Sequence, residues 1–205
     1  MSVGVRALAN RWRRRLWHAL FFRMLFGERA ADGAALPGTR ISPTTCIEHE
    51  AGLALGDDVF IGHFNYIEAS AGVTIGRGTQ VTNYVSIVSH STHRAVRVAA
   101  GLSGAALEAA VIRAPIAIGE RCFIGPHSTV EAGTTLGHDT LVAAHSRVRG
   151  QFPDFAVLAG SPARVVGDVR EGDARWLERM RSAGLGEAFL NAKGAEGSQK
   201  AQKFS

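Results

Sequence analysis

The sequence predicts an all-β solenoid, a parallel β-helix of about 4–5 coils around an aliphatic core. Three observations predict it. Branched aliphatic residues recur every six positions at Ile118, Ile124, Val130, Leu136, Val142 and Val148. The residue after each is mostly small, as in Gly119, Gly125, Gly137 and Ala143. The composition agrees: 24 Gly and only 7% aromatic residues in a chain that is 46% hydrophobic. A helix repeats at 3.6 residues and a flat strand at 2, so a step of six fits neither alone. It fits a short strand and a turn, repeated, with one aliphatic side chain always inward. A single unit cannot bury that side chain, whereas stacked coils can.

The first forty residues stand apart from this pattern. They hold eight Arg against Glu28 and Asp32, within a chain of net charge +5, so the remainder is close to neutral. The high pI of 9.9 therefore belongs to the N-terminal segment, and a global basic field for nucleic acid is excluded. Residues 5–26 predict a helix with Val5, Leu8, Trp12, Leu16, Ala19 and Leu20 on one face and Arg6, Arg13 and Arg14 mainly off it. Such a helix either lies in a membrane interface or caps the open end of the solenoid. His18 and Arg23 interrupt the apolar stretch, which argues against a cleaved signal peptide. No run of apolar residues reaches the length of a membrane span.

The solenoid domain is expected over residues 41–170. Its rungs begin at Ile41, Ile47, Leu55, Ile61 and Ile67, slip by two residues to Ile75, and continue through Val81 and Ile87. With the six later rungs this makes fourteen, or four to five coils at three per coil. Glycines fit the tight corners. The register is lost between Ile87 and Ile116, so residues 88–115 read as one inserted loop, too long for a corner. Residues 171–190 predict a short helix, with Trp176, Leu177 and Met180 on one side, and 191–205 a disordered tail. Cys46 and Cys122 are too few for a disulfide scaffold, and no CxxC pair suggests zinc.

The pattern of Ile, Leu or Val, then Gly, then a small residue resembles the hexapeptide repeat of left-handed β-helix acyltransferases. The ending Ala159–Val166, AGSPARVV, is similar to the galactoside, maltose and polysaccharide O-acetyltransferase branch. The resemblance covers about residues 41–170. It implies a left-handed coil, a homotrimer, and acetyl-CoA as donor to a hydroxyl of a sugar or saccharide. It also implies an active-site His in the inserted loop, which reaches across a groove between subunits. His90 and His93 open that loop. Imidazole suits the task, because the hydroxyl proton must leave as attack occurs near neutral pH.

The resemblance places the donor along Ala144, with Arg149 and Arg164 as cationic contacts for phosphate and Arg170 as a weaker one. A basic residue common one place after Arg149 is Gly150 here. On the acceptor side it points to His63 and Asn65, with Asn83 added by coil geometry. His63 stands where the family carries Asn. No metal, no nucleic acid and a cytoplasmic location at the inner face of a membrane are expected. Two other classes stay open. One is a metal hydratase like the γ-carbonic anhydrases, since His63 follows Ile-Gly. The other is a non-catalytic β-helix scaffold.

Overall fold

A computed structural model describes residues 3–185, in two compact units divided after Val166. The expected tail 191–205 and residues 186–190 of the expected C-terminal helix lie outside the described residues.

The first unit is a three-sided solenoid. Two faces are five-stranded sheets and the third has eight strands. One turn runs through Phe60–Ile61, Tyr66–Glu68 and Val73–Ile75, one strand on each face. The next repeats the order with Gln80–Val81, Ser86–Val88 and Ile116–Ile118. Rung stacks on rung in parallel register: Ile61, Val81, Ile124 and Val142 on the first face. Ile67, Ile87, Val130 and Val148 form the second column, and Ile75, Ile118 and Leu136 the third. These side chains are almost wholly buried. Two five-stranded faces make five coils, within the range the period predicts.

Small residues at the corners have a steric cause. A Cβ on Gly125 would lie 2.6 Å from the backbone nitrogen of Ala144, and one on Gly119 would lie 2.7 Å from the carbonyl carbon of Gly137. The repeat glycines are thus required by close approach of successive turns. Left-handed φ falls on other glycines, such as Gly78 and Gly133, and on side-chain-bearing residues, among them Phe64, Tyr84, His127 and His145. Those four stack into a column along one corner edge, with ring centroids 5.1, 4.9 and 4.8 Å apart. Inside the corners, hydroxyls take up turn carbonyls. Thr79 Oγ1 donates to Gly119 O at 2.8 Å and Ser128 Oγ to Ala143 O at 3.0 Å. That is why the fourth residue after a rung is small and polar.

Insertions collect at one corner, the one between the second and third faces. The two-residue slip from Ile67 to Ile75 lies there. A matching slip separates Ile47 from Leu55, which pair with Ile67 and Ile75. The long loop interrupts the same corner one coil later. It is closed by a short antiparallel pair, His90 opposite Arg113 and Ser91 opposite Ile112. It carries two short helices, Ala95–Val98 and Gly104–Ala109, around a small core of Ala95, Ala99 and Ala110.

The N-terminal helix spans Val3–Phe21, and residues 4–21 are all exposed. A capping role would have buried one face, so the cap alternative is not met within this chain. Phe22 is the point of attachment, edge-on to His63 and Phe64 at 5.3 and 5.8 Å. After it, Leu25–Phe26 pairs antiparallel with Arg40–Ile41 and shields that end of the first sheet. In the second unit a helix runs from Val169 to Ser182, capped by Asp168, whose carboxylate accepts from Arg170 N at 2.9 Å.

Ile87 is fully buried in the middle of its column. Ile87→Ala is expected to lose about 2–5 kcal/mol of stability, read as a lower denaturant midpoint in equilibrium unfolding.

Candidate active site

The site is organised by a buried carboxylate. Ile67 points into the core, and Glu68 follows at the corner where the strand ends. Glu68 is 1% exposed, in a coil where water cannot solvate a charge. Four groups converge on it. Ser70 N donates to Oε1 at 2.8 Å, and Ser89 Oγ to Oε2 at 2.9 Å. His90 Nδ1 lies 2.7 Å from Oε2, and His49 Nδ1 3.4 Å from Oε1. Burial alone would raise the Glu68 carboxyl, but the hydrogen bonds from Ser70, His90 and Ser89 outweigh it and hold it down at about 2.

That charge dictates the histidine. An ionised carboxylate only accepts, so Nδ1 of His90 carries a hydrogen, and in the neutral ring the lone pair is left on Nε2. The ring is 29% exposed, buried enough to be held in place and open enough to be reached. Ser70 Oγ stands 3.4 Å from the same Nδ1 and accepts from Arg113 Nη1 at 3.3 Å. Tyr66, nearby on the strand, donates to Glu48 at 2.8 Å and is pushed up to about 12 by that bond, which removes it as a proton acceptor near neutral pH.

His93 differs. It is exposed, and its Nδ1 meets the neutral Ser91 Oγ at 2.7 Å rather than a carboxylate. The remaining candidates divide between corner edges. His63, Asn65, Asn83 and Ala144 lie at the corner between the first and second faces, beside the aromatic column. His90 and Arg149 lie at the corner between the second and third faces. A single chain therefore does not bring the donor-side, acceptor-side and loop residues together.

Within the first edge, Asn65 is committed to the fold. It is 2% exposed; Nδ2 donates to Gly62 O and Thr82 O at 3.1 and 2.7 Å, and Oδ1 accepts from Val85 N at 2.7 Å. His63 Nδ1 meets Ser42 Oγ, and its backbone N–H donates to Asn83 Oδ1 at 2.7 Å. Ala144 and Arg149 are exposed. Arg164 is exposed and donates to Ala163 O at 2.9 Å. In the second unit, Arg170 is paired with Asp168 at 2.6 Å. Among the described residues no group of three His, Cys, Asp or Glu is placed to hold a metal ion.

Sequence reasoning missed Glu68 and the serines that serve it. The signal was shared: an acidic residue directly after a rung also occurs at Glu48 and Glu131.

The chain is similar to several known proteins. Residues 110–150 match the family described as bacterial transferase hexapeptide (six repeats). A probable acetyltransferase of Mycobacterium tuberculosis is 30% identical over 118 residues, 58% of this chain and 38% of the relative. WbbJ of Escherichia coli, whose name assigns it to lipopolysaccharide biosynthesis as an O-acetyl transferase, is 31% identical over 113 residues, 54% of this chain and 57% of the relative. The chain is similar to hexapeptide-repeat acetyltransferases. It spans less than two thirds of the length of either of these relatives. A galactoside acetyltransferase solved with coenzyme A superposes with a TM-score of 0.55 at 22% identity, over 65% of this chain and 63% of that one. The shared fold is the left-handed parallel β-helix.

Glu68→Gln tests the buried charge. The Glu68 carboxyl sits below its ordinary value, so its contribution is complete above about pH 4.5 and disappears as pH falls toward 2. The wild type is expected to exceed the variant by about 1.5–3 kcal/mol at pH 7, with the gap closing over that acid window in urea unfolding.

Proposed function

We propose that this chain is an O-acetyltransferase that moves the acetyl group of acetyl-CoA directly to a hydroxyl of a sugar or saccharide, with His90 as the general base. The observation that carries this reading is the 2.7 Å contact between His90 Nδ1 and the buried Glu68 carboxylate. It fixes the tautomer that a base needs, orients the ring, and stabilises the imidazolium formed on proton transfer, as an aspartate does behind a catalytic histidine elsewhere.

The acceptor oxygen attacks the thioester carbonyl carbon while His90 Nε2 takes the hydroxyl proton. Backbone N–H groups of the coil stabilise the tetrahedral oxyanion. Its collapse breaks the carbon–sulfur bond, and the imidazolium returns the proton to the leaving thiolate. The products are the O-acetyl ester and free coenzyme A. No enzyme nucleophile is required. Glu68 stays ionised throughout and acts as a positioning residue.

The donor is held along Ala144, with Arg149 and Arg164 taking phosphate charge. His63 and Asn83 face the acceptor. Asn65 is assigned to the corner, because its amide is taken up by backbone. The division of these residues between two edges supports a homotrimer, in which the loop of one chain meets the neighbouring chain's first edge. Two cysteines outside any disulfide and the need for acetyl-CoA support a cytoplasmic setting, at the inner face of a membrane where envelope saccharides are built.

The reading is tested by thiol release from acetyl-CoA with a panel of galactosides, maltose, envelope oligosaccharides and serine. His90→Ala is expected to lower acceptor-dependent release by about 10²–10⁴-fold while coenzyme A binding by calorimetry persists. His93→Ala is expected to stay within a few-fold of wild type. Unchanged turnover in His90→Ala would overturn the base, and absence of coenzyme A binding in the wild type would overturn the transferase reading.

A further inference from the structure

We infer that the N-terminal helix, Val3–Phe21, is a docking element for a bilayer that contains anionic phospholipid, lying in the interface with its apolar arc toward the acyl chains. This inference is independent of the transfer chemistry.

Most of the helix follows one plan, while Trp17 and Phe21 lie off it, their rings 4.3 Å apart. At 100° per residue, Leu8, Trp12, Val5, Leu16 and Leu20 fall within an arc of about 120°. Arg15 and Arg11 border that arc on one side, and Arg13 and Arg6 on the other. The helix contains no acidic residue. The arc is uncovered: Leu8 is 53% exposed, Trp12 63%, Leu16 62% and Leu20 61%. A monomeric soluble protein rarely leaves so continuous an apolar strip in water. Leu25 and Phe26, a few residues past the helix, are exposed as well.

Three occupants can be compared. The solenoid does not cover the arc, since residues 4–21 are all exposed. The helix does not cross a bilayer, because no described helix is long and apolar enough. A second copy of the chain would leave the arginines without counter-charge, because the chain beyond residue 40 is near neutral and carries no block of acids. A bilayer with anionic headgroups satisfies both halves. It takes the apolar arc, Trp12 included, below the headgroups and the bordering arginines among the phosphates.

The test is co-sedimentation of the full chain with vesicles of phosphatidylcholine alone and of phosphatidylcholine mixed with phosphatidylglycerol. The expected result is binding to the mixed vesicles at least tenfold tighter than to the neutral ones, weakened by salt. Trp12→Glu combined with Leu16→Glu, and separately the four bordering arginines changed to Gln, each lose that binding. Coenzyme A binding and the oligomer mass in solution stay unchanged in both variants. Equal binding to neutral and anionic vesicles, or none to either, would overturn the inference. So would a change of oligomer mass in the Glu variant without lipid, which would assign the arc to contact between copies.

Discussion

Close stacking of successive turns is the constraint on which the rest of this structure depends. Parallel strands lie about 4.8 Å apart, and the chain must turn three corners to rise by that distance. At the corners one backbone passes almost directly over another: a Cβ added to Gly125 would lie 2.6 Å from Ala144 N. Three kinds of residue answer this. Glycine stands where a Cβ would meet backbone. Threonine and serine stand where a turn carbonyl needs a donor. A single aliphatic residue stands where each strand faces the axis. The six-residue period is the shortest sequence that repeats all three roles.

The same constraint sorts where the chain can vary. A face cannot accept an extra residue without throwing every later rung out of register. A corner can, because its extra residues swing into solvent. The corner between the second and third faces takes two residues twice and then the whole stretch 88–115. The loop therefore leaves the solenoid immediately beside the coil end that holds Glu68. A buried carboxylate would be costly in a bare prism. Here the loop's first residues, Ser89 and His90, supply the hydrogen bonds that keep it ionised. The loop and the charge make each other tenable.

The neighbouring edge shows corner physics with other side chains. Phe64, Tyr84, His127 and His145 share the same left-handed conformation, so their rings are delivered one above another at coil spacing. Stacking favours the column and ties four turns together. His63 is drawn to the same edge by Phe22 and Ser42, which also fastens the exposed N-terminal helix to the solenoid.

By itself the sequence determined the solenoid, its rungs and the place of its interruption, because those depend on a period that survives along the chain. It also marked His90, since a histidine at a break in a repeat is visible in one dimension. It did not separate His90 from His93, or Asn65 from Asn83. A polar residue at a corner reads the same whether it faces a ligand or a carbonyl of the turn below. Only the tertiary structure decided that Asn65 is spent on three backbone groups and that Glu68, twenty-two residues from His90, touches it. Such pairings are set by which residues stack across coils. Coil length varies at the corners, so separation in sequence does not translate into height along the axis. The folded chain also decided that the N-terminal helix stands uncovered. An amphipathic face is written in sequence, and what covers it is not.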